Sequence, residues 1–234
     1  MKPHRMLRVF GLSVLVMTGL SLSGQAQEKS VKPGINKSFQ DPDVESFLKR
    51  FEVESREVYA NRKEVVKACK LKPGMVVADI GAGTGLYARL FAKQVGPKGK
   101  VFAVDIAKNF LEYIEKSAAK QGTKNITTVL CDQKSTKLKP NSVDVIFVCD
   151  TYHHFEFPYR TMESIRKALK PGGQLIVIDF HRIKGKSRKF IMGHVRAGQE
   201  VFTREIESCG FKQIEERKDL LEENYFLRFV VKDR

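Results

Sequence analysis

The stretch Met75-Val76-Val77-Ala78-Asp79-Ile80-Gly81-Ala82-Gly83-Thr84-Gly85-Leu86 decides the reading of this chain. Its first half is a short apolar run of the kind that a parallel sheet buries on both faces. A glycine-rich turn follows, and then Tyr87, Phe91 and Val95 fall at i, i+4 and i+8, on one helical face. Strand, glycine turn and helix in this order outline a ligand loop. Glycines remove side chains where backbone must approach a ligand, and open α/β sheets bind at the carboxyl end of such a strand. The dinucleotide fingerprint G-x-G-x-x-G is not met, because the spacing is G-x-G-x-G and Leu86 holds the sixth position. That argues against a nicotinamide dinucleotide.

Working outward, Val58, Val65, Val66 and Cys69 share a helical face upstream, and Leu71-Lys72-Pro73-Gly74 ends that element with a turn. Downstream the alternation continues. A strand runs from Lys100 to Asp105, a helix carries Phe110, Leu111, Ile114 and Ala118, and strands follow at Ile126 to Leu130 and Val143 to Cys149. A helix through Met162, Ile165 and Leu169 then leads to a strand from Gln174 to Asp179. Strands alternating with helices imply right-handed crossovers and a doubly wound, mostly parallel sheet. The tail differs: a helix with Phe202, Ile206 and Cys209 on one side stops at Gly210, and Phe211 to Glu216 and Tyr225 to Val231 read as an antiparallel hairpin.

Composition bounds the rest. At 234 residues, 42% apolar and 29% charged, the chain is an ordinary globular protein of one domain, which excludes collagenous and wholly disordered readings. A net charge of +15 suits nucleic acid, an anionic membrane surface or an acidic substrate without choosing among them. Lys2, Arg5 and Arg8 precede an apolar run from Val9 to Leu22, and Ser23-Gly24-Gln25-Ala26 offers a cleavage site. Residues 1–26 are therefore expected to be a signal peptide for export to the periplasm or envelope, with an uncleaved membrane anchor as the alternative. Residues 27–52 read as a linker or loosely held arm, and 53–234 as the folded domain. Cys69, Cys131, Cys149 and Cys209 show no CxxC spacing and read as free thiols.

Taken together, Val77 to Gly85, Asp105 twenty positions beyond, and Lys170-Pro171-Gly172-Gly173 before the fifth strand resemble the class I S-adenosylmethionine-dependent methyltransferases. The resemblance runs from about Val53 to Val231. It implies a seven-stranded α/β sheet of order 3-2-1-4-5-7-6, with S-adenosylmethionine as cofactor. It also implies roles: Gly81, Gly83 and Gly85 pass beneath the methionine and ribose, Asp79 lies near the ammonium group, Asp105 accepts from the ribose hydroxyls, and Asp132 accepts from the adenine amino group.

The acceptor side falls on Asp150-Thr151-Tyr152-His153-His154-Phe155, after the fourth strand. This is not the Asn/Asp-Pro-Pro-Tyr/Phe segment of amino-methylating nucleic-acid enzymes, so no nucleic acid is expected. A His-His-hydrophobic segment resembles the small-molecule branch, including quinone-biosynthesis C-methyltransferases. His153 and His154 are the candidate catalytic residues, as bases for a small-molecule acceptor, while packing or helix capping is an equal alternative. His153, His154, His181, Asp150 and Asp179 show no metal-ligand spacing, and no metal site is expected. Arg182, Lys184, Lys186, Arg188 and Lys189 could draw an anionic acceptor or a membrane surface. The expected function is methyl transfer from S-adenosylmethionine to a small molecule. A non-catalytic envelope protein that binds S-adenosylmethionine is the alternative.

Overall fold

The computed structural model describes residues 27–232, so the expected signal segment lies outside the described residues. The first strand is β1 (Val76–Ile80), followed by β2 (Lys100–Asp105), β3 (Ile126–Leu130), β4 (Val143–Cys149), β5 (Leu169–Phe180), β6 (Phe211–Glu216) and β7 (Asn224–Val231). They form one sheet of order β3-β2-β1-β4-β5-β7-β6. Pairing is parallel from β3 through β5 and antiparallel at β5–β7 and β7–β6. This is the expected doubly wound order with its C-terminal hairpin.

Alternation along each strand splits the core into two layers. Val77, Val145, Phe147, Ile176 and Ile178 face one side, where they pack with Tyr87, Phe91 and Val95 of α4 (Leu86–Val95). Ala78, Val104, Ile146, Val148 and Val177 face the other, against Met162 and Ile165 of α6 (Pro158–Ala168) and Phe202 and Ile206 of α8 (Gln199–Ser208). Phe91, Phe147, Phe202 and Ile165 are fully buried, each contributing about 1.5–3 kcal/mol by leaving water. The first layer also takes Leu111 and Ile114 of α5 (Lys108–Lys120), whose Phe110, Leu111, Ile114 and Ala118 are buried as the periodicity predicts, and the second takes Ile191 of the short α7 (Lys189–His194).

Three local readings change. The helix expected through Val58 and Val65 is two pieces, α2 (Glu57–Ala60) and α3 (Arg62–Ala68). They break at Asn61, whose side-chain amide donates to the Glu57 carbonyl. Leu169, expected to end a helix, instead opens β5 opposite Val143. The arm is also not loose. The Val31 N–H donates to the Glu156 carbonyl at 2.9 Å, Ser30 Oγ donates to Glu156 Oε2 at 2.7 Å, and Asn36 is buried. Farther along it, Phe47 and Phe51 of α1 (Val44–Phe51) stack edge-on at 5.0 Å, and Phe47 meets Phe110 at 5.2 Å. Val44, Phe47, Leu48 and Phe51 fall at i, i+3, i+4 and i+7, a helical spacing that the linker reading passed over, and Val44, Phe47 and Phe51 seal the arm against Phe110.

All four cysteines are free. Cys131 follows β3 and Cys149 ends β4, so β2 and β1 separate them by three strand spacings, roughly 14 Å. A disulfide needs Cα atoms within about 7 Å. Peptide mapping without reductant, after exposure to an oxidant, is therefore expected to yield no Cys131–Cys149 link. Recovering that linked peptide would refute the strand order.

Candidate active site

At the carboxyl edge of β1 the chain must leave the sheet and start α4 within five residues, and the glycines make this possible. Gly81, Gly83 and Gly85 have φ of 73°, 52° and 78°, in the left-handed region that favours glycine. Two of them are also packed tightly. A Cβ on Gly81 would fall 2.3 Å from the Thr151 side chain, and one on Gly85 would fall 2.6 Å from Ile114. Around Gly83 there is more room, with Phe51 at 3.3 Å on the cavity side.

The loop is pinned from β2. Asp105 Oδ2 accepts from the Gly83 N–H and Oδ1 from the Ala107 N–H, both at 2.8 Å. An ionised carboxylate has about four acceptor sites, so two remain for a ligand such as a vicinal diol. Burial raises the Asp105 pKa, against the opposing pull of these backbone donors. Asp79 is buried beside it. Desolvation first, and then the Asp105 charge, push its pKa up to about 7, although the Ala88 N–H donates to it and Arg89 lies nearby. Arg89 itself is committed to Glu52 at 2.7 Å, and Glu52 also accepts from Thr84 Oγ1 at 2.8 Å. The arm thus clamps the glycine loop from above. Within a strongly basic protein, the loop faces a cavity with two buried acids and no partnering cation for Asp79 among the ion pairs of the described residues.

That cavity, of about 660 Å³, runs from the glycine loop past Phe51 and Phe110 to the segment after β4. There a short 3-10 turn, Tyr152–His154, brings His153 against Asp179 at the end of β5, the neighbouring strand. Asp179 Oδ2 accepts from the His153 N–H at 3.0 Å, and its Oδ1 lies 2.7 Å from His153 Nδ1. When ionised the carboxylate can only accept, so it holds a proton on Nδ1, and in the neutral ring the lone pair then falls on Nε2. His154 is held differently. The amide of Asn36 donates to the His154 carbonyl at 3.0 Å, which turns Asn36 Oδ1 toward His154 Nδ1 at 3.1 Å. Burial, then the neighbouring His153, His194 and Lys32, push the His154 pKa down to about 2.

The remaining candidates are settled by their partners. Asp150 lines the cavity but is bound by Arg56 at 2.7 Å and by Asn224 at 2.6 Å, and its φ of 49° is strained for a side-chain-bearing residue. Tyr152 is buried in the core layer with its hydroxyl on Glu205. Asp132 lies at the cavity rim, exposed, and is paired with Lys137 at 2.6 Å, which lowers its pKa. His181 is not in the histidine group; it packs edge-on against Tyr225. Of the basic run, Arg182 donates to the Met192 carbonyl and Arg188 pairs with Glu223, while Lys184, Lys186 and Lys189 are exposed. Sequence reasoning missed Asn36, Glu52, Arg56 and His194, which are isolated residues brought in by the arm, by the entry to α2 and by α7.

A glycine loop pinned by a strand-end acid, on a sheet of this order, defines a nucleoside-binding fold of the methyltransferase class. The chain belongs to the methyltransferase-domain family, whose sequence model matches residues 71–225. Among similar curated proteins, the ubiquinone/menaquinone biosynthesis C-methyltransferase UbiE of Bordetella avium is 33% identical over 113 residues, 48% of this chain and 44% of that protein. The UbiE of Cupriavidus metallidurans is 30% identical over 126 residues, 53% and 51% of the two. The matched region spans about half the length of these relatives. Among solved structures, an S-adenosylmethionine-dependent methyltransferase from Aquifex aeolicus matches with a TM-score of 0.72 at 25% identity, over 82% of this chain and 100% of that one. Phosphoethanolamine N-methyltransferase 2 of Haemonchus contortus, solved with S-adenosylmethionine, shares the fold at 18% identity and a TM-score of 0.63, over 82% and 60% of the chains.

The residues fit the donor of this family. Asp105 keeps acceptor capacity for hydroxyl groups beyond its two backbone bonds, and the buried Asp79 offers an acid to a cationic group. Between pH 3.8 and about 7 the folded chain keeps a proton on Asp79 that the unfolded chain releases, so this group's contribution to stability falls as pH rises across that window. A cationic ligand favours the ionised form. Calorimetric titration is therefore expected to show donor affinity falling below pH 7, by up to about tenfold per unit, with a proton released on binding. Asp79→Asn should remove that slope; an unchanged slope would contradict the assignment.

Proposed function

We propose that the protein transfers a methyl group from S-adenosylmethionine to a small-molecule acceptor. The observation that carries the reading is the single cavity joining the Gly81–Gly85 loop, with Asp79 and Asp105, to the His153–Asp179 pair. When bound, the sulfonium supplies an already activated methyl group. The chain's own task is then to align nucleophile, methyl and sulfur, and to take a proton where the nucleophile needs activation. In this reading Asp105 accepts from the ribose hydroxyls, Asp79 faces the ligand's ammonium group, the loop glycines lie beneath it, and Asp132 accepts from the adenine amino group at the rim.

His153 is the base in this reading. Its Nδ1–H is held by Asp179, its Nε2 carries the lone pair, and it lines the cavity. His154, with its pKa pushed down to about 2, is too weak a base near neutral pH and serves position instead. A small acceptor suits a cavity walled by Phe39, Phe51, Phe110, Phe155 and Phe190. An aromatic or isoprenoid-like ring carrying an ionisable hydroxyl matches that wall and that base. Relatives named for quinone biosynthesis support the same class. Export through residues 1–26 is proposed with it, as is contact of Lys184, Lys186 and Lys189 with an anionic membrane surface beside the exposed Ile183 and Phe190.

At about 100 times the dissociation constant, S-adenosylmethionine should stabilise the protein by roughly 2.7 kcal/mol, a melting shift of roughly 5–10 °C, while NAD gives none. Asp105→Ala should abolish most of that shift. With labelled donor and fractionated envelope extract, His153→Ala should lower transfer by at least about 100-fold while the donor-induced melting shift stays intact. Full transfer by His153→Ala would remove the histidine from the mechanism. An NAD shift without a donor shift would overturn the whole reading.

A further inference from the structure

Beyond the donor loop, the cavity ends in a group that the chain assembles from two distant segments. His153 and His154 come from the turn after β4 and His194 from the end of α7, and one ring nitrogen of each lies within 4.8 Å of the others. We propose that His153, His154 and His194 form a three-nitrogen site for a divalent transition-metal ion of the zinc class, with its open coordination position toward the acceptor end of the cavity.

The rings are held from behind by hydrogen-bond acceptors. A metal-binding histidine typically donates its other N–H to a carboxylate or carbonyl, which fixes the ring and directs the lone pair at the ion. His153 meets that condition through Asp179 Oδ1, and His154 through Asn36 Oδ1, with Asn36 itself fixed by the bond from its amide to the His154 carbonyl. Both rings therefore keep Nε2 for a ligand. His154 Nε2 lies 3.2 Å from His194 Nε2. Two nitrogens bound to one zinc at about 2.0–2.1 Å in tetrahedral geometry stand roughly 3.3–3.4 Å apart, so this pair is spaced for a shared ion. His194 is also supported from outside. Phe190 stacks on its ring at 4.9 Å, and Lys32 Nζ donates to its carbonyl at 2.6 Å.

Three imidazoles with one open position suit zinc, and also cobalt, nickel and copper, ahead of magnesium or calcium, which prefer oxygen ligands. Asp179, behind His153, supplies the nearby negative charge. No sequence spacing signals such a site, because forty positions separate His154 from His194. The site itself stands on the ring geometry. Its use toward an acceptor rests on the methyl-transfer reading: an ion there occupies the Nε2 of His153, so the metal-loaded and base-competent forms are distinct states of one site, and an acceptor oxygen would meet the open position.

The test uses the metal-freed protein without donor or acceptor. Cobalt(II) should bind at one equivalent with the intense visible absorption of a four-coordinate site, and zinc should displace it. His194→Ala, on the surface helix and outside the proposed methyl-transfer machinery, should lower cobalt affinity at least tenfold and lose that absorption, while His181→Ala should keep both. The S-adenosylmethionine melting shift, measured on the same samples, shows that each variant is folded and reports the donor reading separately. Wild-type protein binding cobalt no better than His194→Ala, or with only the faint absorption of a hydrated ion, would overturn the proposal.

Discussion

The Asp105 carboxylate is the contact on which the site depends. By accepting from the Gly83 and Ala107 N–H groups it joins the end of β2 to both the glycine loop and the entry to α5. Two turns that diverge from neighbouring strands are thereby held at one point, with acceptor capacity left over. The geometry follows from the parallel register, which places Ile80 beside Val104 and lets the Val104 carbonyl accept from the N–H groups of Gly81 and Ala82. Loss of this carboxylate would leave two buried donors unpaired, a cost of about 1–3 kcal/mol each. Its role in holding the loop and its proposed role toward a ligand are therefore not separable.

Much of this was legible in sequence. The apolar strands, the glycine spacing and the strand-end acids are short-range patterns, and each marks a backbone requirement that few residue types satisfy. Asp105 and Gly83 could each be singled out, one closing a readable strand and the other in the turn after one, but the bond between them could not. The arm was legible only in part. Phe47 and Phe51 keep a helical spacing with Val44 and Leu48, but Asn36, Glu52 and, just beyond the arm, Arg56 belong to no period, and together these residues roof the loop, clamp Arg89 and Asp150, and orient His154. The polar partners are set only in the folded chain, where the carboxyl edge of the sheet gathers residues from far apart.

The histidine end shows the same limit more sharply. The His153-His154 pair drew attention by its position after β4, but nothing local distinguished the two rings. The partners do so. Asp179, one strand over, keeps one imidazole oriented with a free lone pair, whereas burial beside two other histidines and Lys32 strips the other of basicity. A buried acid pair at one end and a histidine group at the other make the two halves of the cavity chemically different. In the proposed methyl transfer the sulfonium sits toward the acid pair and the nucleophile toward the histidines.

The most direct test of this division is a crystal structure with S-adenosylhomocysteine, the demethylated donor. The account predicts its ribose hydroxyls on Asp105, its amino group beside Asp79, and its sulfur facing along the cavity toward His153. A ligand whose ribose makes no contact with Asp105, or whose sulfur points away from the histidines, would contradict it.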